Sequence, residues 1–473
     1  MAALRGLEAN ARRLLKSSGQ EHLLDFLSDD PHERETYLKE LLTIDYEEMR
    51  ELFQRATENS GAQVQKLDDL MRPLAEDQIE AEVRADPGRL EEYRTRGLEE
   101  ISKGHVGVIL MAGGQGSRLG VSYPKGMYDV GLQSKKTLFQ LQAERILKVQ
   151  QLAAQRHGRH GAIIWYIMTS APTYDETLNF LKSNKYFGLN EKDVVIFKQG
   201  LLPCFNFDGK ILLSRKNELA LAPDGNGGIY KALEVNGVLD DFRKRGVLYL
   251  HCHSVDNILV KVADPVFVGY CVVKSADVGA KVVQKNSPTE CVGVLCLVEN
   301  IVQVVEYSEI TEKTANLKNQ DGELTFNAGN ICNHFFSAEF LRRIAKLQMP
   351  LHVAKKKIPH VSNLGEFVKP TEPNGIKIEK FVFDVFAFAD KFVAWEVPRE
   401  SEFSALKNAD SAGKDCPATA KQDLYRLHKN YLQRAGVGVV GDEVEIPPSV
   451  SYGGEGLDAW RGKTIVGPAL IKD

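Results

Sequence analysis

Between Val106 and Asp129 the chain reads VGVILMAGGQGSRLGVSYPKGMYD, and the residue types in this stretch suit phosphate binding. Gly113, Gly114 and Gly116 let backbone N–H groups approach an anion with no Cβ in the way. Arg118 can fork onto phosphate oxygens, and Lys125 adds a compact positive charge. Two familiar phosphate loops fail on spacing. Gly114, Gly116 and Gly120 are set G-x-G-x-x-x-G, where a dinucleotide fingerprint requires G-x-G-x-x-G. Lys125 precedes its glycine, Gly126, and no hydroxyl residue follows, which excludes the P-loop pattern. A bare glycine turn would need neither Arg118 nor Lys125.

Asp256, in VDN, follows the apolar run from Val247 to Leu250, where an aspartate either caps a turn or offers its carboxylate to a metal. Mg²⁺ takes one or two carboxylates and completes its shell with phosphate and water, so a single aspartate suffices. Just upstream, His251 and His253 give H-x-H-x-x-D. On a strand the two share a face, which leaves two readings open: a transition-metal pair, or packed, pocket-lining imidazoles. No Ser–His or His–Asp arrangement marks a nucleophile.

Together with APDGNGG (Ala222 to Gly228), VVEYSE (Val304 to Glu309), NAGNI (Asn327 to Ile331), PNGIKIEKFVFD (Pro373 to Asp384) and LKNAD (Leu406 to Asp410), these stretches resemble the eukaryotic UDP-sugar pyrophosphorylases. The glycine stretch matches their L-x-x-G-G-x-G-T-R-L-G…P-K signature. Within that group the chain is similar to the UDP-N-acetylhexosamine pyrophosphorylases. The match spans most of the chain and is weakest before about Gly104 and after Asp410.

The resemblance implies uridylyl transfer from UTP to N-acetylglucosamine-1-phosphate, and also to N-acetylgalactosamine-1-phosphate, by in-line attack at the α-phosphate. Mg²⁺ is the implied cofactor, with Mn²⁺ as its substitute, and homodimers are the implied assembly. By motif matching, Met111, Ala112, Gly113, Gly114, Lys125, Gln199, Gly225, Asp256 and Lys377 fall to the nucleotide. Asn226, Gly293, Glu306, Tyr307, Asn330 and Lys407 fall to the sugar phosphate. Arg118, Lys125 and Lys377 supply catalytic charge, and Asp256 holds the metal. The chemistry agrees, because the attacking phosphate oxygen, with a second pKa of about 6, is already ionised and needs no general base. What the site must supply is alignment and positive charge.

The chain departs from the family at Met111 for leucine, at Cys291 for proline, and at the HCHS stretch before Val255. Two other functions stay in play: a pyrophosphorylase for a different hexose-1-phosphate, and a weakly catalytic paralogue that binds nucleotide-sugar.

These residues need a frame. From Val106 short apolar runs (162–168, 194–197, 247–250) alternate with helical segments near 139–147 and 174–181. That alternation predicts a mainly parallel α/β sheet with ligands at the carboxyl ends of its strands. The resemblance implies a Rossmann-like, GT-A-like form of it. Runs between Gly279 and Val305 predict a meander added to this core, and residues 418–433 a further helix. The predicted divisions are a helical region (1–103), a central nucleotidyltransferase domain (104–404) and a small C-terminal domain (405–473).

A chain of 473 residues with 43% hydrophobic composition can bury a large core over two or three domains. The net charge of −4 argues against nucleic acid as a partner, and no run of about 18 apolar residues points to a membrane. Seven scattered cysteines without a C-x-x-C pair predict reduced thiols and a cytoplasmic location.

Overall fold

The computed structural model describes residues 2–58, 64–75 and 77–472. The chain forms two compact units, one of Met1–Gln65, Gly200–Ile229 and Gln348–Asp384, the other of Lys66–Gln199, Tyr230–Leu347 and Val385–Asp473.

In the first unit, helices α1 (Ala2–Ser18), α2 (Pro31–Thr43) and α3 (Tyr46–Glu58) share a core with a three-stranded sheet of Phe205–Asn206, His352–Lys356 and Gly375–Glu379. Leu15, Leu38 and Leu52 from the helices meet Phe205, Ile376 and Ile378 from the strands. Asp30 starts α2 by accepting from the N–H groups of His32 and Glu33, both at 2.9 Å, with Pro31 in the first turn.

The second unit is built on one sheet. Its strands are β1 (Met71–Arg72), β2 (Ile79–Ala81), β3 (Val106–Met111), β4 (Ile164–Thr169), β5 (Val194–Lys198), β6 (Tyr249–Ser254), β7 (Val278–Gln284), β8 (Val294–Val298), β9 (Ile301–Val305), β10 (Ala328–Ser337) and β11 (Phe392–Glu396). The order is β2-β11-β7-β10-β6-β3-β4-β5. Every pairing along it is parallel except those of β10, which runs antiparallel to both β7 and β6. The sheet is therefore mixed and mainly parallel, as the sequence predicts. All six residues of β3 and of β4 are buried, which accounts for their unbroken apolar runs.

One expectation is corrected. The run from Gly279 is no part of an added meander, because β7 stands in the middle of the main sheet, with six of its seven residues buried. Only the β8–β9 hairpin is appended, touching β10 at Val294–Gly329. Lys281 in this strand is fully buried, and a sequence shows neither of its partners.

Helices α4 (Pro87–Ser102), α5 (Leu138–His157), α6 (Ala171–Ser183) and α7 (Pro265–Val273) flank the sheet. α4 and α7 cross backbone to backbone. A Cβ at Gly97 would sit 1.9 Å from the Pro265 carbonyl oxygen, and one at Gly269 would sit 1.7 Å from that of Tyr93. α8 (Pro417–Arg434) and the short strands after it share a core with the sheet side: Leu424, Leu432 and Ile446 pack with Leu119, Leu138 and Ile258. Residues 66–103 and 405–473 thus belong to the second compact unit, and residues 200–229 and 348–384 to the first. No helix among the described residues is long and apolar enough to cross a membrane.

Candidate active site

The glycine loop leaves the carboxyl end of β3, where the Ala112 N–H donates to Met168 of β4 at 2.9 Å. Met111 and Ala112 are buried beneath it. The loop then folds back on itself, with the Gly116 N–H donating to the Tyr123 carbonyl (3.0 Å) and the Lys125 N–H to that of Gly114 (3.2 Å). Its ends are anchored from outside. Ser170 Oγ, at the start of α6, donates to the Gly113 carbonyl at 2.7 Å. Gly126 lies flat on Phe139 of α5, so that a Cβ there would meet the ring at 2.2 Å. Gly114 by contrast has nothing within 4 Å of its Cβ direction, leaving its backbone open to a ligand.

Gln199 follows β5 directly, its N–H donating to Thr169 at 2.8 Å. Its amide oxygen lies 2.3 Å from the Cβ position of Gly113, so the glycine is what allows the amide to reach the loop. Asp256 follows β6, two residues past the strand, after Val255 has donated its N–H to Met111 at 3.1 Å. Residues 402–407 close over this edge. The Leu406 N–H donates to the Asp256 carbonyl (2.8 Å), and Lys125 Nζ donates to the Leu406 carbonyl (3.1 Å).

Asn257 latches the same segment. Its Nδ2 donates to the Glu402 carbonyl at 2.7 Å, and its Oδ1 accepts the Ser404 N–H at 3.0 Å.

The electrostatics tie these groups together. Burial pushes the Lys125 ammonium below the ordinary lysine value; Asp256 opposes this, while Lys407 and Arg118 reinforce it. Asp256, Lys407 and Arg118 therefore each lie close enough to Lys125 to act on its charge. Arg118 is exposed and makes no hydrogen bond or ion pair with another described residue, so its guanidinium is available to an anion.

On the opposite flank, Cys332 sits in β10 with φ 53°, a left-handed conformation that strains a non-glycine residue. Burial pushes its thiol up to about 12, with Asp256 and Glu306 adding to the rise and Lys407 opposing it. Glu306 packs on Gly293, whose Cβ would come within 2.8 Å of Oε1. The Asn330 N–H donates to the Gly293 carbonyl at 2.9 Å, so the three form one cluster. Tyr307 is half exposed at the start of the turn after β9.

Gly225, Asn226 and Lys377 lie in the first unit. There Asn226 Oδ1 accepts the Val382 N–H at 2.9 Å, and Gly225 approaches the Lys380 carbonyl so closely that a Cβ would stand 2.3 Å from it. Lys377 lies within the strand Gly375–Glu379 and opposes the burial that pushes the Cys204 thiol up. The adjoining Asp224 is buried, and burial pushes its carboxyl up to about 6 against the pull of Lys380.

Asp256 is half-buried and accepts no hydrogen bond at its carboxylate from a described residue. A hard, oxygen-seeking ion that draws most of its ligands from phosphate and water fits such a group. The described residues hold no cluster of three or more His, Cys, Asp or Glu suited to a metal. The histidine pair is packed: His251 Nε2 meets Asn333 Oδ1 at 2.7 Å and its Nδ1 accepts the Ala263 N–H at 3.1 Å. Both ring nitrogens are thus committed, and the packed reading of His251 holds.

Three contributors escaped the sequence: the Leu406 carbonyl, the Asn257 latch and the strained Cys332. Asn257 and Leu406 stand inside the motifs VDN and LKNAD, but a backbone acceptor has no residue-type signature.

A mixed, mainly parallel sheet that offers its polar groups from the loops after β3, β5 and β6 defines a nucleotidyltransferase of the nucleotide-sugar type. The chain belongs to the family described as UTP--glucose-1-phosphate uridylyltransferase, whose profile matches residues 46–444. It is 50% identical to the UDP-N-acetylhexosamine pyrophosphorylase-like protein 1 of Xenopus tropicalis, across 95% of this chain and 93% of that protein. It is 44% identical to the UDP-N-acetylglucosamine pyrophosphorylase of Saccharomyces cerevisiae, across 79% of this chain and 80% of that one. Among solved structures, the uridine diphosphate N-acetylglucosamine pyrophosphorylase of Trypanosoma brucei superposes with a TM-score of 0.84 at 31% identity, covering 96% of this chain and 94% of the other.

Proposed function

We propose that the protein is a UDP-N-acetylhexosamine pyrophosphorylase, transferring uridylyl from UTP to N-acetylglucosamine-1-phosphate, with N-acetylgalactosamine-1-phosphate as a second acceptor. The observation that carries the proposal is the grouping of Asp256, Lys407 and Arg118 around the Lys125 ammonium, with the Leu406 backbone bonded to both Lys125 and the Asp256 carbonyl. Such a site gathers polyanions and offers neither a nucleophile nor a general base, which suits attack by an already ionised phosphate.

In this reading the open backbone at Gly113 and Gly114 seats the nucleotide, above Met111 and Ala112, and Gln199 reads the base. Lys125 and Arg118 neutralise charge as pyrophosphate leaves. Asp256 would hold Mg²⁺, or Mn²⁺ in its place, which when bound shields the phosphate oxygens from one another. Glu306, with Gly293 and Asn330 behind it and Tyr307 beside it, takes the sugar hydroxyls, and Lys407 takes the sugar phosphate. Gly225, Asn226 and Lys377 are assigned by their motifs, to nucleotide, sugar and phosphate respectively. All seven cysteines are free thiols, which supports a reducing compartment, the cytoplasm.

The test is pyrophosphate release from UTP and Mg²⁺ with a panel of sugar-1-phosphates. Fastest release with N-acetylglucosamine-1-phosphate is expected. A faster rate with glucose-1-phosphate would reassign the acceptor, and silence across the panel from folded protein would favour a nucleotide-sugar-binding role.

A further inference from the structure

A small cavity of about 20 Å³ lies in the second unit between α5, the segment after Asp256, and the C-terminal region. About 10–15 Å³ of such space is enough for one water-sized occupant. Its polar lining comes from Arg145, Lys261, His428, Tyr431, Ser451 and Tyr452. No carboxylate lines it.

Arg145 is the unusual member. It is only 8% exposed, and its guanidinium makes no hydrogen bond or ion pair with any described residue. Burial pushes it below the ordinary arginine value, with the Tyr452 and Tyr431 hydroxyls and Glu144 only partly offsetting this. Of the other lining groups, Tyr452 donates its hydroxyl to the Val262 carbonyl at 2.9 Å. Lys261 pairs with Glu402 at 3.0 Å. His428 Nδ1 accepts the Ile446 N–H at 3.1 Å, and burial holds its imidazole neutral, down at about 3. Ser451 Oγ accepts the Gly454 N–H at 2.9 Å, which leaves its own hydrogen to donate. The cavity therefore faces donors: a charged guanidinium and the hydroxyls of Ser451 and Tyr431.

We propose that this cavity is a binding site for a monovalent, halide-sized anion held by the Arg145 guanidinium. A halide would accept from these donors and also balance the guanidinium charge, which no lining carboxylate opposes. The bound anion would fasten α8 and residues 446–452 to α5 and to the segment that follows Asp256. This site is independent of the uridylyl-transfer reading and stands or falls without it.

The test uses the full chain prepared in gluconate, titrated with chloride or bromide at constant ionic strength while Tm is followed. A bromide-soaked crystal is then examined for an anomalous peak. The expected results are a saturable rise in Tm with either halide and a bromide peak beside the Arg145 guanidinium. Arg145→Met should lose the saturable rise. If that variant does not fold, the wild-type titration and the peak decide the matter. Equal Tm in halide and gluconate would overturn the proposal. So would a peak without the saturable rise, which would mean an adventitious ion only, or a rise with the peak elsewhere.

Discussion

Lys125 and Leu406 are 281 positions apart, and Lys125 Nζ donates to the Leu406 carbonyl oxygen across 3.1 Å. Leu406 simultaneously gives its N–H to the Asp256 carbonyl at 2.8 Å. One residue, contributing only backbone atoms, thus ties the cation after β3 to the backbone of the aspartate after β6. Below it, the Asn257 latch ties the same segment to Glu402, and Glu402 reaches into the core to a buried lysine. The site is held from beneath by charge.

That anchor is testable. Lys281 Nζ lies 2.5 Å from Asp264 Oδ2 and 2.6 Å from Glu402 Oε2, and all three residues are buried. Removing one member of a buried ion cluster strands the others, at a cost of about 3–5 kcal/mol. Lys281→Met should destabilise the protein by that order in chemical denaturation. Its pyrophosphate release should fall as well, because Glu402 begins the segment that carries Leu406. A variant as stable as wild type would show that the cluster is not what holds this segment.

Two glycines of the phosphate loop should fail in different ways. Gly126→Ala drives a methyl group into the Phe139 ring, where the approach is 2.2 Å and both partners are fixed, so a loss of about 1–3 kcal/mol is expected. In Gly113→Ala the obstacle is the end of the Gln199 side chain, which can swing away. Stability should then change little while the KM for UTP rises several-fold. Thermal melts and initial-rate kinetics on the two variants separate the effects.

Acid should destabilise the fold through its buried histidines. Burial pushes both His334 and His428 down to about 3, against an ordinary value of about 6.5. Above about pH 6.5 neither the folded nor the unfolded state binds these protons, and the stabilisation is fully present. As pH falls from there toward 3, only the unfolded state takes them up, and stability drops by up to about 1.4 kcal/mol per pH unit for each histidine. Asp224, pushed up to about 6 by burial, acts with the opposite sign below that pH. Denaturation at pH 7 and pH 5 should show the loss, and His428→Gln should flatten it by one histidine's share. An unchanged slope in that variant would contradict the assignment.

The glycine loop, its flanking strand and Asp256 were legible because each depends on local residue type: glycine for close approach, an apolar run for a strand buried on both faces. The class of sheet followed from the alternation of strand and helix. What stayed hidden was long-range. The run from Gly279 reads as an added meander because the runs there are short and parted by polar turns. Its burial in the core rests on Lys281 being compensated by Asp264, 17 positions away, and Glu402, 121 away. The H-x-H pair left a metal site open beside the favoured packed reading, and only the fold shows Asn333 and the Ala263 N–H on the two nitrogens of His251. Leu406 acts through its peptide groups and could not be singled out from its side chain.

The most direct test of the account is turnover by Lys125→Ala and Asp256→Ala, assayed with UTP, Mg²⁺ and N-acetylglucosamine-1-phosphate alongside circular dichroism. If Lys125 neutralises the leaving group and Asp256 holds the metal, each substitution removes charge stabilisation in the transition state. Each should then lower kcat by about 100-fold or more with the fold intact. Turnover near the wild-type rate in either folded variant would contradict the mechanism.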